Sequence, residues 1–504
     1  MNAPLLVGEW PARGARHGAD RVAVQDPAAR HSYADLEERS TALADRLRAA
    51  GLGRGDRLAT VTANSADHVV AFFGCAKAGL LLAPLSWRAS TTELAAMLRD
   101  ARPALVATDT TYRDAVHAAL TLLDDPPPAV LLSAEGLEDD LPDLRARSEG
   151  RAGQVALDDP VLLLYSSGST GRPKGILLSH ASCWWTNRSL DGRVGMGPDD
   201  VVLVVLPQFH VAAWNVQPLL GWLTGARVIV EPVFDPDTVL NRLADERVTT
   251  TMGVPTSYQM LAERPGFADA DLSSLRLALV GGAPTADRVL TAWSGRGVPL
   301  VAGYGLTEAG PNVLCEAEPG GGMLPYPGVE VALRDPVTGR PAEGDRGELL
   351  VRGPNVFAGY WGRPDETARA VVGGWLATGD IAERGPDGGY RLVGRSTAMY
   401  ISGGENVYPG EVEQVLLRDP SVAAAAVVGV PDDQWGEVGV AFVVPRQGLT
   451  LDPERLRAGV RQQLAGFKVP RRVVVVDALP LTGSGKIDRP ALRGELDNQK
   501  GVER

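Results

Sequence analysis

The chain has few cysteines, few lysines and no long apolar run. Its 504 residues include three cysteines, Cys75, Cys183 and Cys315, which lie far apart and form no CxxC pair. This usage argues against a disulfide framework or a structural metal site and favours a reducing compartment. No apolar run approaches the ~20 residues of a membrane-spanning helix, and the N-terminus lacks the basic region that opens a signal peptide. We therefore expect a cytoplasmic protein without a membrane span.

The charge pattern narrows the class of partner. The formal net charge is −12, which argues against nucleic acid as a ligand. Positive charge is carried almost entirely by arginine, because the chain has only five lysines, and Lys174 and Lys486 fall in glycine- and serine-rich loops. Most lysines lie on helix faces, so this placement indicates function. With 44% hydrophobic residues the chain is globular, and its length predicts two or more domains.

Strand-like and helix-like segments alternate through most of the chain. Helical spacing of apolar residues predicts helices over 32–50 and 214–223, and short apolar runs predict buried strands over 57–63 and 275–281. This alternation is typical of an α/β fold with a mostly parallel sheet. From 328 to 351 the pattern changes to short strands and turns, which predicts a β-rich subdomain.

The most informative stretch is YSSGSTGRPKG at residues 165–175. Apolar runs on both sides predict a strand, a tight loop and a strand. Glycines let successive backbone N–H groups converge on one anion, and hydroxyls and a lysine add donors and charge, so the loop suits a polyphosphate. It differs from the GxxxxGK[ST] phosphate loop, and a flexible Ser/Gly hairpin is the alternative. The candidate phosphate-binding residues are Ser166, Ser167, Gly168, Ser169, Thr170, Gly171 and Lys174.

Four further stretches carry chemical groups at the ends of predicted elements. In YGLTE, Tyr304 offers an aromatic face to a base and Glu308 offers a carboxylate to Mg²⁺. The GGAP stretch at 281–284 lets a planar ring lie against the backbone. Asp380 is placed to bind ribose hydroxyls, and Lys486 lies on a second glycine-rich loop. Each stretch alone is compatible with an ordinary turn, whereas the combination indicates a nucleotide site.

These motifs together resemble the adenylate-forming superfamily of acyl- and aryl-CoA synthetases, peptide-synthetase adenylation domains and firefly luciferase. The resemblance rests on YSSGSTGRPKG, YGLTE, TGD, GRSTAMYISGGENVYPGEVE and GSGKIDR, and it covers roughly residues 32–489. It implies a large N-terminal α/β domain with the β-rich subdomain at 1–394, a hinge at 395–398 and a small mobile C-terminal α/β domain at 399–504.

The resemblance implies AMP-forming carboxylate–CoA ligation in two halves. A carboxylate attacks the α-phosphate of ATP to give acyl-AMP and pyrophosphate, and the thiol of coenzyme A then displaces AMP. ATP, Mg²⁺ and coenzyme A are therefore expected. By the same resemblance Lys486 bridges the substrate carboxylate and the α-phosphate, and Glu308 and Thr170 serve Mg²⁺. The nucleotide-binding residues implied outside the phosphate loop are Gly282, Ala283, Tyr304, Gly305, Thr307, Asp380, Arg395 and Lys486.

The acid is predicted to be bulky and apolar. His210 matches an aromatic-gate position that is an aspartate in amino-acid-activating domains, so amino acids are disfavoured. The chain offers no obvious arginine pair for a second carboxylate, which disfavours malonate-type diacids. The alternative for the large apolar candidates is ordinary core packing. The predicted acyl-pocket residues are His210, also counted as catalytic, with Val211, Trp214, Tyr258, Gly281 and Met323, and further wall candidates are Trp184, Trp185 and Leu324.

The second half-reaction requires a path for coenzyme A. The resemblance places the pantetheine arm along the glycine turn after residue 401 and the phosphates near basic residues, for which a solvated basic rim is the alternative. The predicted coenzyme A residues are Ser402, Gly403, Gly404, Lys468, Arg471 and Arg472.

One departure from the family pattern lies at the hinge. Where relatives carry charged residues, this chain has Ser396-Thr397-Ala398. A charge there biases which of two domain orientations is populated, so an enzyme that mainly forms thioesters from a preformed adenylate is an alternative. A non-catalytic nucleotide-binding relative and a luciferase-like oxygenase are the others. No carrier domain is expected after Lys486, and a homodimer acting in fatty, aromatic or secondary metabolism is compatible with the sequence.

Overall fold

The computed structural model describes residues 3–134, 136–138, 140–166, 173–336, 338–403, 405–482 and 487–502. The chain divides into two compact units. Unit 1 comprises Met1–Ala283, Thr291–Glu330 and Val351–Leu376, and unit 2 comprises Pro284–Leu290, Val331–Leu350 and Ala377–Arg504. The predicted hinge at 395–398 lies inside unit 2, and the predicted domain boundaries stay a prediction.

Strands and helices alternate along the chain, as the α/β prediction requires. The strands are β1 Val22–Gln25, β2 Arg30–Ser32, β3 Arg57–Val61, β4 Leu81–Pro84, β5 Leu105–Thr108, β6 Ala129–Leu131, β7 Pro160–Ser166, β8 Lys174–Ser179, β9 Val201–Val204, β10 Arg227–Val230, β11 Thr250–Gly253, β12 Leu277–Gly281, β13 Leu300–Tyr304, β14 Leu314–Glu316, β15 Met323–Pro325, β16 Glu330–Arg334, β17 Arg346–Arg352, β18 Gly359–Tyr360, β19 Val371–Val372, β20 Trp375–Arg384, β21 Tyr390–Arg395, β22 Tyr400–Ser402, β23 Glu405–Val407, β24 Val422–Asp432, β25 Gly436–Pro445 and β26 Arg472–Val475.

Most of the helices lie between strands along the chain. They are α1 Trp10–Gly14, α2 Tyr33–Ala49, α3 Ala66–Ala78, α4 Thr91–Ala101, α5 Arg113–Leu120, α6 His180–Val194, α7 Ala212–Asn215, α8 Pro218–Thr224, α9 Pro236–Asp245, α10 Pro255–Ala262, α11 Asp287–Ser294, α12 Pro364–Ala370, α13 Pro409–Leu417, α14 Pro453–Gln463 and α15 Arg489–Val502. Within the described ranges no helix is both long and apolar enough to cross a membrane.

Unit 1 is built on two mostly parallel sheets. One has the strand order β15-β14-β13-β12-β11-β9-β10-β1-β2, and the run from β13 to β1 is parallel throughout. The other is seven-stranded, with the order β18-β8-β7-β4-β3-β5-β6 and a parallel run from β7 to β6. Strands such as β3 are buried along their whole length, as parallel strands covered on both faces require. The predicted α/β fold is confirmed.

Local sequence signals explain where the best-predicted helices begin and end. Ser32 caps α2, since its hydroxyl accepts a hydrogen bond from the Asp35 backbone N–H while the Asp35 carboxylate accepts from the Ser32 backbone. Ser65 caps α3 in a similar way, and Gly79 ends that helix with φ +82°, a conformation that favours glycine. The expected helix over 32–50 is therefore confirmed to within a residue at each end.

The single helix predicted over 214–223 is wrong. The structure has two short helices, α7 and α8, separated at Val216 and Gln217. Proline disfavours the helical conformation in the residue before it, and Gln217, which precedes Pro218, has φ +113°. The Gln217 side chain also donates a hydrogen bond to the Thr250 hydroxyl at 2.5 Å, which holds the break in place.

Unit 2 contains the smaller sheet. Its five strands have the order β23-β22-β25-β24, with β26 pairing in parallel with β25. Helices α13 and α14 pack beside it through a core that includes Val412, Leu456 and Val460. Helix α13 begins with Pro409, and proline is tolerated in the first turn of a helix. The predicted β-rich stretch at 328–351 contains β16 and nearly all of β17, and β20 and β21 form an antiparallel pair after it.

Candidate active site

The phosphate loop joins two adjacent antiparallel strands. Strands β7 and β8 pair so that Ser166, the last residue of β7, lies opposite Lys174, the first residue of β8. The predicted strand–loop–strand arrangement is confirmed at both ends. Five predicted residues of the loop, Ser167, Gly168, Ser169, Thr170 and Gly171, lie outside the described residues.

Lys174 is held by residues that sequence reasoning missed. Its Nζ lies 2.5 Å from Glu366 Oε2 and 5.5 Å from the centre of the Tyr360 ring. The hydrogen bond and charge of Lys174 lower the pKa of the Glu366 carboxyl. Glu366 lies in the first turn of α12, where a negative charge is favoured by the helix dipole. The sequence Pro364-Asp365-Glu366 indicates the start of a helix. It does not indicate that Glu366 contacts Lys174.

Glu308 contacts the hydroxyl of the same tyrosine. It lies in a single 3₁₀ turn, Thr307–Ala309, shortly after β13. Its backbone carbonyl accepts a hydrogen bond from the Phe357 N–H at 2.8 Å, and its Oε1 accepts one from the Tyr360 hydroxyl at 3.2 Å. Unit 1 therefore brings the predicted phosphate-binding lysine and the predicted Mg²⁺-binding carboxylate together on one aromatic side chain.

The carboxylate of Glu308 is a donor of the kind that binds Mg²⁺. A carboxylate oxygen is a hard ligand, and Mg²⁺ at nucleotide sites is commonly held by one or two carboxylates together with substrate phosphates. Within the part of the chain that the structure describes, no group of three or more His, Cys, Asp or Glu residues is arranged to hold a metal ion by itself. Glu308 thus suits a metal that is shared with the nucleotide.

The predicted adenine-binding residues lie at the ends of neighbouring parallel strands. Gly281 of β12 pairs with Gly303 of β13, so the exposed Gly282 and Ala283 leave the sheet beside Tyr304. A Cβ added at Gly281 would lie 2.9 Å from the Gly303 carbonyl oxygen, which explains the need for glycine there. The carboxyl ends of parallel strands are where α/β sheets bind nucleotides. Gly305 is exposed and Thr307 half-buried in the same loop.

Two of the predicted acyl-pocket residues are core residues in the structure. Trp214 is fully buried, and its Nε1 donates a hydrogen bond to the Gln208 carbonyl at 2.6 Å. Tyr258 is also buried, and its hydroxyl donates to the Leu279 carbonyl at 2.8 Å. Both rings are fully buried with satisfied polar atoms, which is compatible with the core-packing alternative, and their assignment to the acyl pocket stays a prediction.

The remaining acyl-pocket candidates are less enclosed. His210 is half-buried, with its ring 4.4 Å from that of Phe209. Met323 is half-buried at the start of β15, while Val211 is buried just before α7. Gly281 is the small residue described above. Of the further wall candidates, Trp184 is buried, Trp185 is half-buried and Leu324 is exposed.

In unit 2 the predicted ribose-binding residue Asp380 pairs with Arg395, which the resemblance assigns to the ribose or a phosphate. Asp380 and Arg395 lie opposite one another on β20 and β21, and Arg395 Nε is 2.9 Å from Asp380 Oδ1. The Asp380 side chain is 11% exposed and that of Arg395 is 53% exposed. Cross-strand pairing therefore orients the carboxylate that the resemblance assigns to ribose. Lys486 lies outside the described residues.

The predicted coenzyme A residues fall into different environments in unit 2. Ser402 is buried, and Gly403 has φ +59° and lies so close to the Trp435 ring that an added Cβ would be 2.7 Å from it. Lys468 Nζ lies 2.5 Å from Glu411 Oε2, so this charge already has a partner. The remaining basic residues, Arg471 and Arg472, are exposed, and Gly404 lies outside the described residues.

Comparison with known proteins gives the family. The AMP-binding enzyme model matches residues 11–361, and the AMP-binding enzyme C-terminal domain model matches residues 411–486. The chain belongs to the AMP-binding enzyme family. It is 41% identical over 503 residues to a feruloyl-CoA synthase of Amycolatopsis sp, covering 98% of this chain and 99% of that protein. It is 35% identical to the indoleacetate–CoA ligase of Aromatoleum aromaticum, covering 97% and 98% of the two chains.

A solved structure supports the fold and the nucleotide. ATP-bound MatB from Rhodopseudomonas palustris superposes with a TM-score of 0.85 at 32% identity, covering 97% of this chain and 98% of that one. The predicted membership of the adenylate-forming superfamily is confirmed. The protein is an AMP-forming carboxylate–CoA ligase that binds ATP and acts on small molecules.

Proposed function

We propose that this ligase activates a bulky aromatic or otherwise apolar carboxylic acid as its acyl-adenylate and then transfers the acyl group to coenzyme A. The observation that carries the proposal is the meeting of Lys174 and Glu308 at Tyr360. One group neutralises phosphate charge and the other receives Mg²⁺, which together serve displacement at a polyphosphate. The names of the feruloyl-CoA and indoleacetate–CoA relatives support an aromatic acid.

The first half-reaction makes the carboxylate reactive. A carboxylate is a poor electrophile because its leaving group would be oxide, and the mixed anhydride with AMP supplies a good one. In-line attack on the α-phosphate requires charge neutralisation on the phosphates. Lys174 does this as a point charge, Glu308 and Thr170 would hold Mg²⁺, and Lys486 bridges the carboxylate and the α-phosphate. Asp380, oriented by Arg395, binds the ribose.

The acyl pocket is assigned to the less enclosed candidates. His210 and Met323 are half-buried, so part of each side chain is accessible to an acid, whereas Gly281 packs closely against the Gly303 carbonyl. None of these residues carries a fixed charge, which favours an apolar substrate over a diacid or an amino acid. Coenzyme A then approaches along Ser402 and Gly403.

The decisive experiment is a carboxylic acid screen with ATP and coenzyme A that measures AMP and thioester separately. Ferulate, indoleacetate, a long-chain fatty acid and malonate represent the competing acid classes. We expect turnover with the aromatic acids and little with malonate. Preferred use of malonate or an amino acid would contradict the proposed substrate class. Faster use of supplied acyl-AMP than of free acid would favour the thioester-forming specialist suggested by Ser396-Thr397-Ala398.

A lysine variant tests which of the two half-reactions depends on Lys486. Lys486→Ala is expected to slow acyl-AMP formation by about 100-fold or more, the scale of losing one transition-state donor, while thioester formation from synthetic acyl-AMP is nearly spared. Lys500→Ala, outside every motif, is the matched lysine control. An equal loss in both half-reactions would contradict the role of Lys486 in adenylation.

A further inference from the structure

The segment that follows Phe357 lies between the strand that begins with Lys174 and the turn that carries Glu308. Its short strand β18 pairs with β8, placing Tyr360 opposite Ile176 beside the phosphate loop. The Trp361 N–H donates a hydrogen bond to the Gly175 carbonyl at 2.8 Å. Upstream, the Phe357 N–H donates to the Glu308 carbonyl. The backbone of this segment is therefore bonded both to the strand that begins with Lys174 and to the turn that carries Glu308.

The Tyr360 side chain contacts both Lys174 and Glu308. Its hydroxyl donates a hydrogen bond to Glu308 Oε1, and its ring lies beneath Lys174 Nζ. The ring is fixed by an edge contact with Phe357 at 4.8 Å, and the Tyr360 N–H donates to the Thr367 hydroxyl at 2.9 Å. These contacts leave the half-buried Tyr360 side chain little freedom to move. The Glu308 oxygen that accepts its hydrogen bond is therefore held in place as well.

We propose that Tyr360 is a positioning residue that holds one oxygen of Glu308 so that the other faces Mg²⁺, at a fixed place relative to Lys174. The proposal rests on the metal role that the proposed function gives Glu308. A carboxylate has two oxygens and rotates about its own bonds, so a donor on Oε1 selects the orientation of Oε2. Hydrogen-bond partners of metal ligands set ligand orientation, and their removal typically costs about 10- to 100-fold in metal affinity.

The two contacts of Tyr360 are separable by substitution. Tyr360→Phe removes the hydroxyl that bonds Glu308 and keeps the ring under Lys174. The contact between an ammonium and an aromatic face is retained by phenylalanine. A merely structural role would instead weaken ATP binding with and without metal alike.

The test is equilibrium binding of ATP by calorimetry, with excess Mg²⁺ or with EDTA, in the absence of acid and coenzyme A so that no turnover occurs. The measured quantity is the ratio of the affinity for MgATP to the affinity for metal-free ATP. By linkage, a variant that weakens metal binding in the protein–ATP complex by some factor lowers this ratio by the same factor. For Tyr360→Phe we expect this ratio to fall about 10-fold or more, with metal-free ATP binding unchanged. Glu308→Gln should lower the ratio further.

A matched control and the remaining outcomes separate the hypotheses. Tyr33→Phe removes a different tyrosine hydroxyl, which is buried and bonded to the Ala226 carbonyl at 2.6 Å, and should leave the ratio unchanged. If Glu308→Gln lowers the ratio and Tyr360→Phe does not, the proposal for Tyr360 is overturned and the metal role of Glu308 stands. If neither variant changes it, that metal role is overturned too. Equal weakening of both forms of ATP by Tyr360→Phe would also overturn the proposal.

Discussion

At the scale of single residues, the charge of Lys174 is already partnered before any nucleotide is considered. Its ion pair with Glu366 is partly exposed, with side-chain exposures of 24% and 31%. Exposed ion pairs contribute about 0.2–1 kcal/mol because solvent screens them. Glu366 also adds a negative charge close to the predicted site of the ATP phosphates, which repels them. The Glu366 carboxylate therefore competes weakly with the ATP phosphates for the Lys174 ammonium.

Glu366→Gln should strengthen ATP binding. Removing the carboxylate charge frees the lysine from competition, and the 0.2–1 kcal/mol scale of exposed pairs corresponds to about 1.5- to 5-fold in affinity. Calorimetric titration of the variant with MgATP measures the effect, which should shrink at high salt. Glu330→Gln, which breaks the exposed Arg352–Glu330 pair, is the control for loss of a surface charge. Weaker ATP binding by Glu366→Gln would show that Glu366 orients Lys174 instead.

At the scale of elements, the turn after β13 depends on close backbone packing. A Cβ added at Gly305 would lie 1.2 Å from the Pro311 carbonyl oxygen. The Val313 N–H donates to the Tyr304 carbonyl at 3.1 Å, so the chain folds back directly against this glycine. The turn that carries Glu308 can close in this way only when residue 305 lacks a side chain.

Gly305→Ala should displace this turn and reduce both stability and nucleotide binding. Overpacking of this kind typically costs about 1–3 kcal/mol, and the displaced Glu308 should weaken MgATP binding as well. Urea unfolding and calorimetry measure the two effects. The matched control is Gly197→Ala, because an added Cβ there meets nothing within 4 Å. Unchanged stability and affinity in Gly305→Ala would contradict the close packing seen in the structure.

At the scale of the whole molecule, two buried histidines link stability to pH. His68 lies between the Thr60 hydroxyl, 2.9 Å from its Nε2, and Gln208 Oε1, 3.0 Å from its Nδ1. His180 Nδ1 accepts a hydrogen bond from the Val7 N–H at 3.0 Å. Burial lowers the pKa of each imidazole from 6.5 to about 4, although a nearby aspartate opposes the shift in both cases. Both are therefore neutral in the folded protein at neutral pH.

The free energy of unfolding should fall as pH drops from about 6.5 toward about 4. In this window the unfolded chain binds protons at these histidines that the folded chain does not bind, so stability rises with pH. The loss from pH 7.5 to pH 5 is about 2 kcal/mol for each histidine. Urea unfolding at several pH values measures it. His180→Asn, whose side-chain oxygen can still accept from Val7, should have a shallower profile, and the exposed His117→Asn should not. Parallel profiles for all three proteins would exclude this contribution.

The sequence by itself determined the fold class, most element positions and the motifs that carry nucleotide chemistry. Apolar periodicity reports which face of a segment is buried, and it predicted α2, β3 and β12 because capping and burial are local. The phosphate-loop motif at residues 165–175 and the turn around Glu308 could be predicted because they too are local. Their glycines, hydroxyls and charges are adjacent in the chain.

Only the tertiary structure decided which distant groups meet. Tyr360 and Glu366 reach Lys174 because β18 pairs with β8, and strand register between distant segments leaves no mark in local composition. The same applies to the burial of Trp214 and Tyr258, which have the composition of a pocket wall but are packed inside unit 1. Periodicity predicts that a residue is buried, whereas the partners that bury it depend on how the whole chain packs.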